Sequence, residues 1–129
     1  MATRIFMISD SIITKASISR MIETEEDLEI VAEAATGQRG ILMLDEINPD
    51  IVLLELTIGG NMSAIEIVKE MRNIDPNVKI VLSVDVRATG KIIEVIDAGA
   101  RDFLVKPFKH ETVLRVLREV ASGAGELVS

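Results

Sequence analysis

Five short apolar runs, each followed by a segment of helical length and periodicity, constrain this chain more than any other feature. The runs cover residues 4–8, 28–34, 51–56, 79–83 and 102–105 and are built mainly from Ile, Val, Leu, Ala and Phe. Apolar stretches of this length between breakers read as strands, and strands that alternate with helices read as a parallel, doubly wound α/β sheet. The run 51–56 is apolar at both alternating sets of positions, which marks a central strand covered by helices on both faces.

The intervening segments carry helix signals. Asp10 or Ser11 is placed to cap a first helix, and Thr36-Gly37 opens a second with Ile41, Leu44 and Ile47 on one face. Asn48-Pro49-Asp50 ends it, because proline cannot continue a helix and restricts the residue before it. A third helix spaces Ala64, Ile67, Val68, Met71 and Ile74 along one stripe and stops at Asp75-Pro76. A fourth is expected over 88–98 with Ile92, Ile93 and Ile96 as its stripe, Val95 beside it and Gly99 as cap. The last, from about Glu111, is expected to bury Val113, Leu114, Leu117, Val120 and Ala121.

With 129 residues the chain reads as one domain over 1–122, followed by a tail, 123–129, expected to fray. Its residues are 48% hydrophobic but only 2% aromatic, so branched aliphatic side chains must fill the core. Cysteine is absent, which removes thiol chemistry and suits a reducing compartment. No apolar run approaches the ~18 residues of a membrane span, so a cytoplasmic protein is the simplest expectation. The net charge of −7 disfavours direct contact with nucleic acid or anionic lipid.

Polar residues stand at the carboxyl ends of four of the runs: Ser9-Asp10, Glu55, Ser83 and Lys106-Pro107. In an open parallel sheet these ends form the ligand crevice, so the four stations should converge on one acidic pocket holding a lysine. An enzyme or nucleotide-binding protein on such a frame is a further alternative. Against it, there is no nucleophile paired with a base and no glycine-rich turn directly after the first strand.

Two blocks carry a resemblance. Asn-Pro-Asp-Ile-Val-Leu-Leu-Glu-Leu-Thr, residues 48–57, and Ala-Gly-Ala-Arg-Asp-Phe-Leu-Val-Lys-Pro-Phe, residues 98–108, resemble the third and fifth strands of the receiver domain of two-component response regulators. The resemblance extends over about residues 3–121 and implies a (βα)5 fold with flavodoxin-like strand order 2-1-3-4-5. It also implies that a histidine kinase donates a phosphoryl group to a carboxylate at position 55, with magnesium held by that carboxylate, Asp10 and the Thr57 carbonyl. Ser83 and Lys106 would contact the phosphoryl oxygens, Phe103 and Ser83 would act as the switch, and the Lys106-Pro107 peptide would be cis.

The departures from the family pattern matter as much. Glu55 stands where the family has the phosphoacceptor aspartate, and its extra methylene carries the carboxylate on the order of 1.5 Å further. An error of about 1 Å can cost transfer on the order of 10²-fold. Ser9 replaces one acid of the metal pair, so magnesium binding should weaken. Val84, beside the hydroxyl of Ser83, is expected to narrow the entrance, and Gly59-Gly60 to loosen the loop after the third strand.

The resulting expectation is a degenerate receiver, not an enzyme, that works by protein–protein contact, with Glu55 reaching toward Ser83 or Lys106 in imitation of the phosphorylated state. A receiver still competent for phosphoryl transfer and magnesium binding is the alternative. The partner, a histidine kinase or output protein, is expected at the face made by the fourth helix, fifth strand and fifth helix. There Lys91, Arg101 and Arg115 lie near Glu94, Asp97 and Asp102 and also allow a homodimer. Plainer roles stand beside these: Ser83 as a strand-end hydroxyl, Lys106 as a neutralising cation, Phe103 as core, and His110 as a surface residue.

Overall fold

The computed structural model describes residues 1–123. Its elements run β1 (Thr3–Ile8), α1 (Ile12–Ile22), β2 (Leu28–Ala34), α2 (Gly37–Ile47), β3 (Ile51–Glu55), α3 (Ala64–Ile74), β4 (Lys79–Asp85), a 3₁₀ segment (Val86–Lys91), α4 (Ile92–Ala98), β5 (Asp102–Lys106) and α5 (His110–Ser122). The five strands are parallel in the order β2-β1-β3-β4-β5, the flavodoxin-like order. All five residues of β3 are buried, as expected of a central strand. Of the tail 123–129, only Gly123 is among the described residues.

Alternation along the strands divides the core in two. Phe6, Ile8, Val52, Leu54, Ile80 and Leu82 face Leu44 of α2, Ile67, Val68 and Met71 of α3, and Ile92 and Val95 of α4. Ile5, Met7, Ile51, Leu53, Val81 and Leu104 face Ile18 and Ile22 of α1 and Val113, Val116, Leu117 and Val120 of α5. Each fully buried aliphatic side chain contributes about 1.5–3 kcal/mol, which is how a core nearly free of aromatic rings holds together.

Three helices begin at side-chain caps. Ser11 accepts from Thr14 N, Thr36 from Arg39 N, and Ser63 from Glu66 N while Glu66 returns a bond to Ser63 N. This last reciprocal pair satisfies two otherwise unpaired amides and holds the Glu66 carboxyl below its usual range, through the Ser63 backbone bond first. At Gly37 α2 lies so close to α3 that an added Cβ would overlap Ile67 Cδ1.

The fourth helix departs from expectation. Only Ile92–Ala98 is α-helical; residues 86–91 form the 3₁₀ segment, started by Asp85, whose carboxylate accepts from Arg87 N at 2.9 Å. Gly90 and the β-branched Val86 and Thr89 weaken a regular helix there. The buried positions of α4 are Ile92 and Val95, whereas Ile93 is 72% exposed. In α5 the sequence stripe omitted Val116, which is buried, and on α3 Ile74 is 39% exposed. Strand β4 continues two residues past Ser83, because Val84 and Asp85 pair with Val105 and Lys106.

Candidate functional site

The carboxyl ends of β1, β3 and β5 bring Ser9, Glu55 and Lys106 into one hydrogen-bonded group. Lys106 Nζ donates to Glu55 Oε2 at 2.5 Å, and Ser9 Oγ donates to Glu55 Oε1 at 3.0 Å. The Glu55 side chain is 4% exposed and that of Lys106 26%, so the pair is largely shielded from water. Register explains the convergence: Glu55 lies opposite Ser83 in the β3–β4 ladder, and Lys106 ends β5 one strand further out.

Ser83 is 1% exposed, and its carbonyl accepts from Leu56 N at 2.9 Å, which fixes the chain just past Glu55. Val84 does not narrow an entrance: strand alternation turns it to the other face, where it is wholly buried in the core beside α2, α3 and α4. The peptide between Lys106 and Pro107 is cis, as the resemblance implied.

Asp10, next to the buried Ser9, is exposed. Its Oδ2 accepts from Gly59 N at 3.1 Å, so it fastens the β3–α3 loop at that point. A side chain at position 59 would meet that oxygen, since an added Cβ lies 3.0 Å away. Thr57 is exposed on the same loop. The sequence contained no signal for the Asp10–Gly59 bond beyond the glycine itself.

Magnesium requires a compact set of hard oxygen donors. Among the described residues, no group of three or more His, Cys, Asp and Glu side chains is arranged to hold a metal ion. Both Glu55 oxygens are engaged in hydrogen bonds, one of them with a cation, and Asp10 is turned to Gly59. Of the carboxylates named for magnesium, Glu55 and Asp10 each have an oxygen bonded within the chain where the ion would need one.

Beyond the pocket, β5 and α5 border a groove of about 540 Å³ lined by Val86, Phe103, Lys106, Thr112, Arg115 and Val116, among others. Phe103 is 39% exposed at this groove and so is not core. Asp85, at the end of β4, is held below the usual carboxylate range by the Arg87 side chain, with the charge of Lys106 adding a lesser pull. Arg115 pairs within its own helix with Glu119 at 3.4 Å, and His110 is exposed, its Nε2 3.1 Å from the Met21 carbonyl. Among the described residues, no helix is long and apolar enough to cross a membrane.

Comparison with known proteins identifies the family and the fold. The family model described as the response regulator receiver domain matches residues 5–118. The chain is 33% identical over 121 residues to the chemotaxis protein CheY of Thermotoga maritima, covering 94% of this chain and 99% of that protein. With CheY of Bacillus subtilis it shares 31% identity over 119 residues, 92% of this chain and 98% of that protein. Its fold superposes on a two-component response regulator of the LuxR family from Aurantimonas sp. SI85-9A1 with a TM-score of 0.86 at 24% identity, covering 95% of this chain and 87% of the other. It also matches the response regulator domain of Thermotoga maritima CheB along the full length of both chains, with a TM-score of 0.80 at 20% identity.

Proposed function

This chain belongs to the response regulator receiver domain family and is a module of two-component signalling; on that premise we propose that it is a degenerate receiver that signals by protein contact rather than by cycling a phosphoryl group. The observation that carries this reading is the state of Glu55. Both of its carboxylate oxygens are hydrogen-bonded, one to Lys106 and one to Ser9. A carboxylate that must attack phosphorus needs a free oxygen in line with the leaving group, and this one is longer than aspartate and already paired.

Lys106 supports the same conclusion. In the family the lysine meets phosphoryl oxygen; here it meets the Glu55 carboxylate, so the anion that would draw it inward is part of the chain. On this reading the Glu55 carboxylate partly imitates the phosphorylated state with no kinase input. Magnesium binding is weakened, because Ser9 offers its proton to Glu55 instead of a charge to a cation. Catalysis is not part of the role, and the chain works in the cytoplasm beside its partner.

The partner, a signalling protein of the same system or a second copy, docks on α4, β5 and α5. The groove at Phe103 and the exposed Val86 and Ile93 support that choice. Incubation with a small-molecule phosphodonor and magnesium, followed by intact-mass measurement, tests the proposal. The expected result is an unchanged mass; a phosphoryl adduct on Glu55 would overturn it and restore the competent-receiver alternative.

A further inference from the structure

We infer that Ser9 is a positioning residue: through one hydroxyl it fastens the Glu55–Lys106 pair to the first turn of α1, so that this helix reports the state of the pocket. A serine hydroxyl has one proton to donate and lone pairs that accept. Here the proton goes to Glu55 Oε1 at 3.0 Å, and the oxygen accepts the Ser11 amide, also at 3.0 Å. Ser11 is the cap of α1: its hydroxyl accepts from Thr14 N at 3.1 Å and its carbonyl from Lys15 N at 3.1 Å. With Lys106 Nζ on the far oxygen of Glu55, the bonds run without a gap from the end of β5, through β3 and β1, into the helix.

Ser9 has little freedom to absorb a change on either side. It is 3% exposed, and its own amide is held by the Ala34 carbonyl at 3.0 Å. A shift of the Glu55 carboxylate therefore either moves the hydroxyl, and with it the bond to Ser11, or breaks the bond between Ser9 and Glu55. None of the bonds from Lys106 through Glu55 and Ser9 to Ser11 passes through Ser83 or Phe103. The route ends beneath an apolar surface, because Ile12 and Ile13 are each 80% exposed. Ile13 also borders a groove of about 270 Å³ with Met21, Pro107 and Phe108.

This inference deepens the proposed reading of the pocket and rests on it only for the pairing of Glu55. A cycle of variants in the intact chain tests it by backbone-amide and isoleucine-methyl NMR. The Ser11 amide and the Ile12 methyl are the reporters; Ile13 and Thr14 line one groove with Lys106 and are left out. Lys106→Met is expected to shift these signals and to speed exchange of the Ser11 amide on the order of fivefold, the scale of one weakened hydrogen bond.

In an S9A background the same K106M change should leave the reporters where S9A alone put them, whereas S9T, which keeps the hydroxyl, should restore the response. K106R, which retains the charge but moves the donor, supplies the same cycle if K106M unfolds. An equal response to the Lys106 change with and without the Ser9 hydroxyl overturns the inference, as does no response in the parent chain. Phosphodonor labelling of Glu55 would defeat the functional reading and leave this cycle to be judged on its own.

Discussion

At the scale of single residues, the pocket is a hydrogen-bonded group of three side chains, Glu55, Lys106 and Ser9. Glu55 extends far enough to meet Lys106 with one oxygen, and Ser9 donates to the other. Such a pair, nearly buried, adds little net stability while intact, but removing one partner strands the other's charge. Lys106→Met should therefore cost about 2 kcal/mol, less than a fully buried pair because Lys106 keeps some contact with water. Adding Glu55→Leu to K106M should recover much of that loss, since the stranded carboxylate is gone. Urea unfolding of the three proteins measures both steps, and a double variant no more stable than K106M would show that the charge was not the cause.

At the scale of elements, contacts remote in sequence seat the helices flanking the pocket. The Arg118 guanidinium on α5 donates from Nε and Nη2 to the two oxygens of Asp27 at 2.8 Å and also to Glu25 at 2.7 Å, joining the last helix to the α1–β2 loop. That side-chain bond from Arg118 is the main cause holding the Asp27 carboxyl below its ordinary value, and the two carboxylates raise Arg118 further above its own. A depressed carboxylate contributes stability that is complete above its unfolded value and is lost as pH falls through the folded one. The wild type should therefore lose stability from about pH 4 downward, near the ordinary aspartate value. Asp27→Asn should flatten that part of the profile while lowering stability at neutral pH. Urea midpoints at a series of pH values between neutrality and acid read the effect, and parallel profiles for the two proteins would count against the assigned role of Asp27.

For the molecule as a whole, a receiver fold is combined with a pocket that is already internally paired. A ligand stabilises a protein only as far as it binds the folded state in preference to the unfolded one. If the pocket holds magnesium weakly, 10 mM magnesium should raise the melting temperature by less than about 2 °C, the shift expected when concentration does not greatly exceed the dissociation constant. Scanning calorimetry at constant ionic strength makes the comparison, and a rise well beyond that would show a metal site the resting geometry conceals. The net charge of −7 is spread over the whole chain, and the lysine at the pocket is neutralised by Glu55, so neither draws a polyanion to this site.

The sequence by itself determined the five strands, their order through family resemblance, the central place of β3 and the residues at the strand ends, because hydrophobic period and the carboxyl-end rule of parallel sheets are local properties. It misjudged the start of α4, where residues 86–91 adopt the tighter 3₁₀ form, and the outward turn of Ile93, since a short segment fits more than one apolar stripe. Only the tertiary structure decided what the pocket residues do with one another. That Asp10 turns to Gly59, that Val84 joins the opposite core, and that Ser9 gives its proton to Glu55 depend on directions in space between atoms up to 49 positions apart in the chain. Hydrogen bonds are directional and carry no trace in composition or period, so their pattern emerges only when the strands are laid side by side.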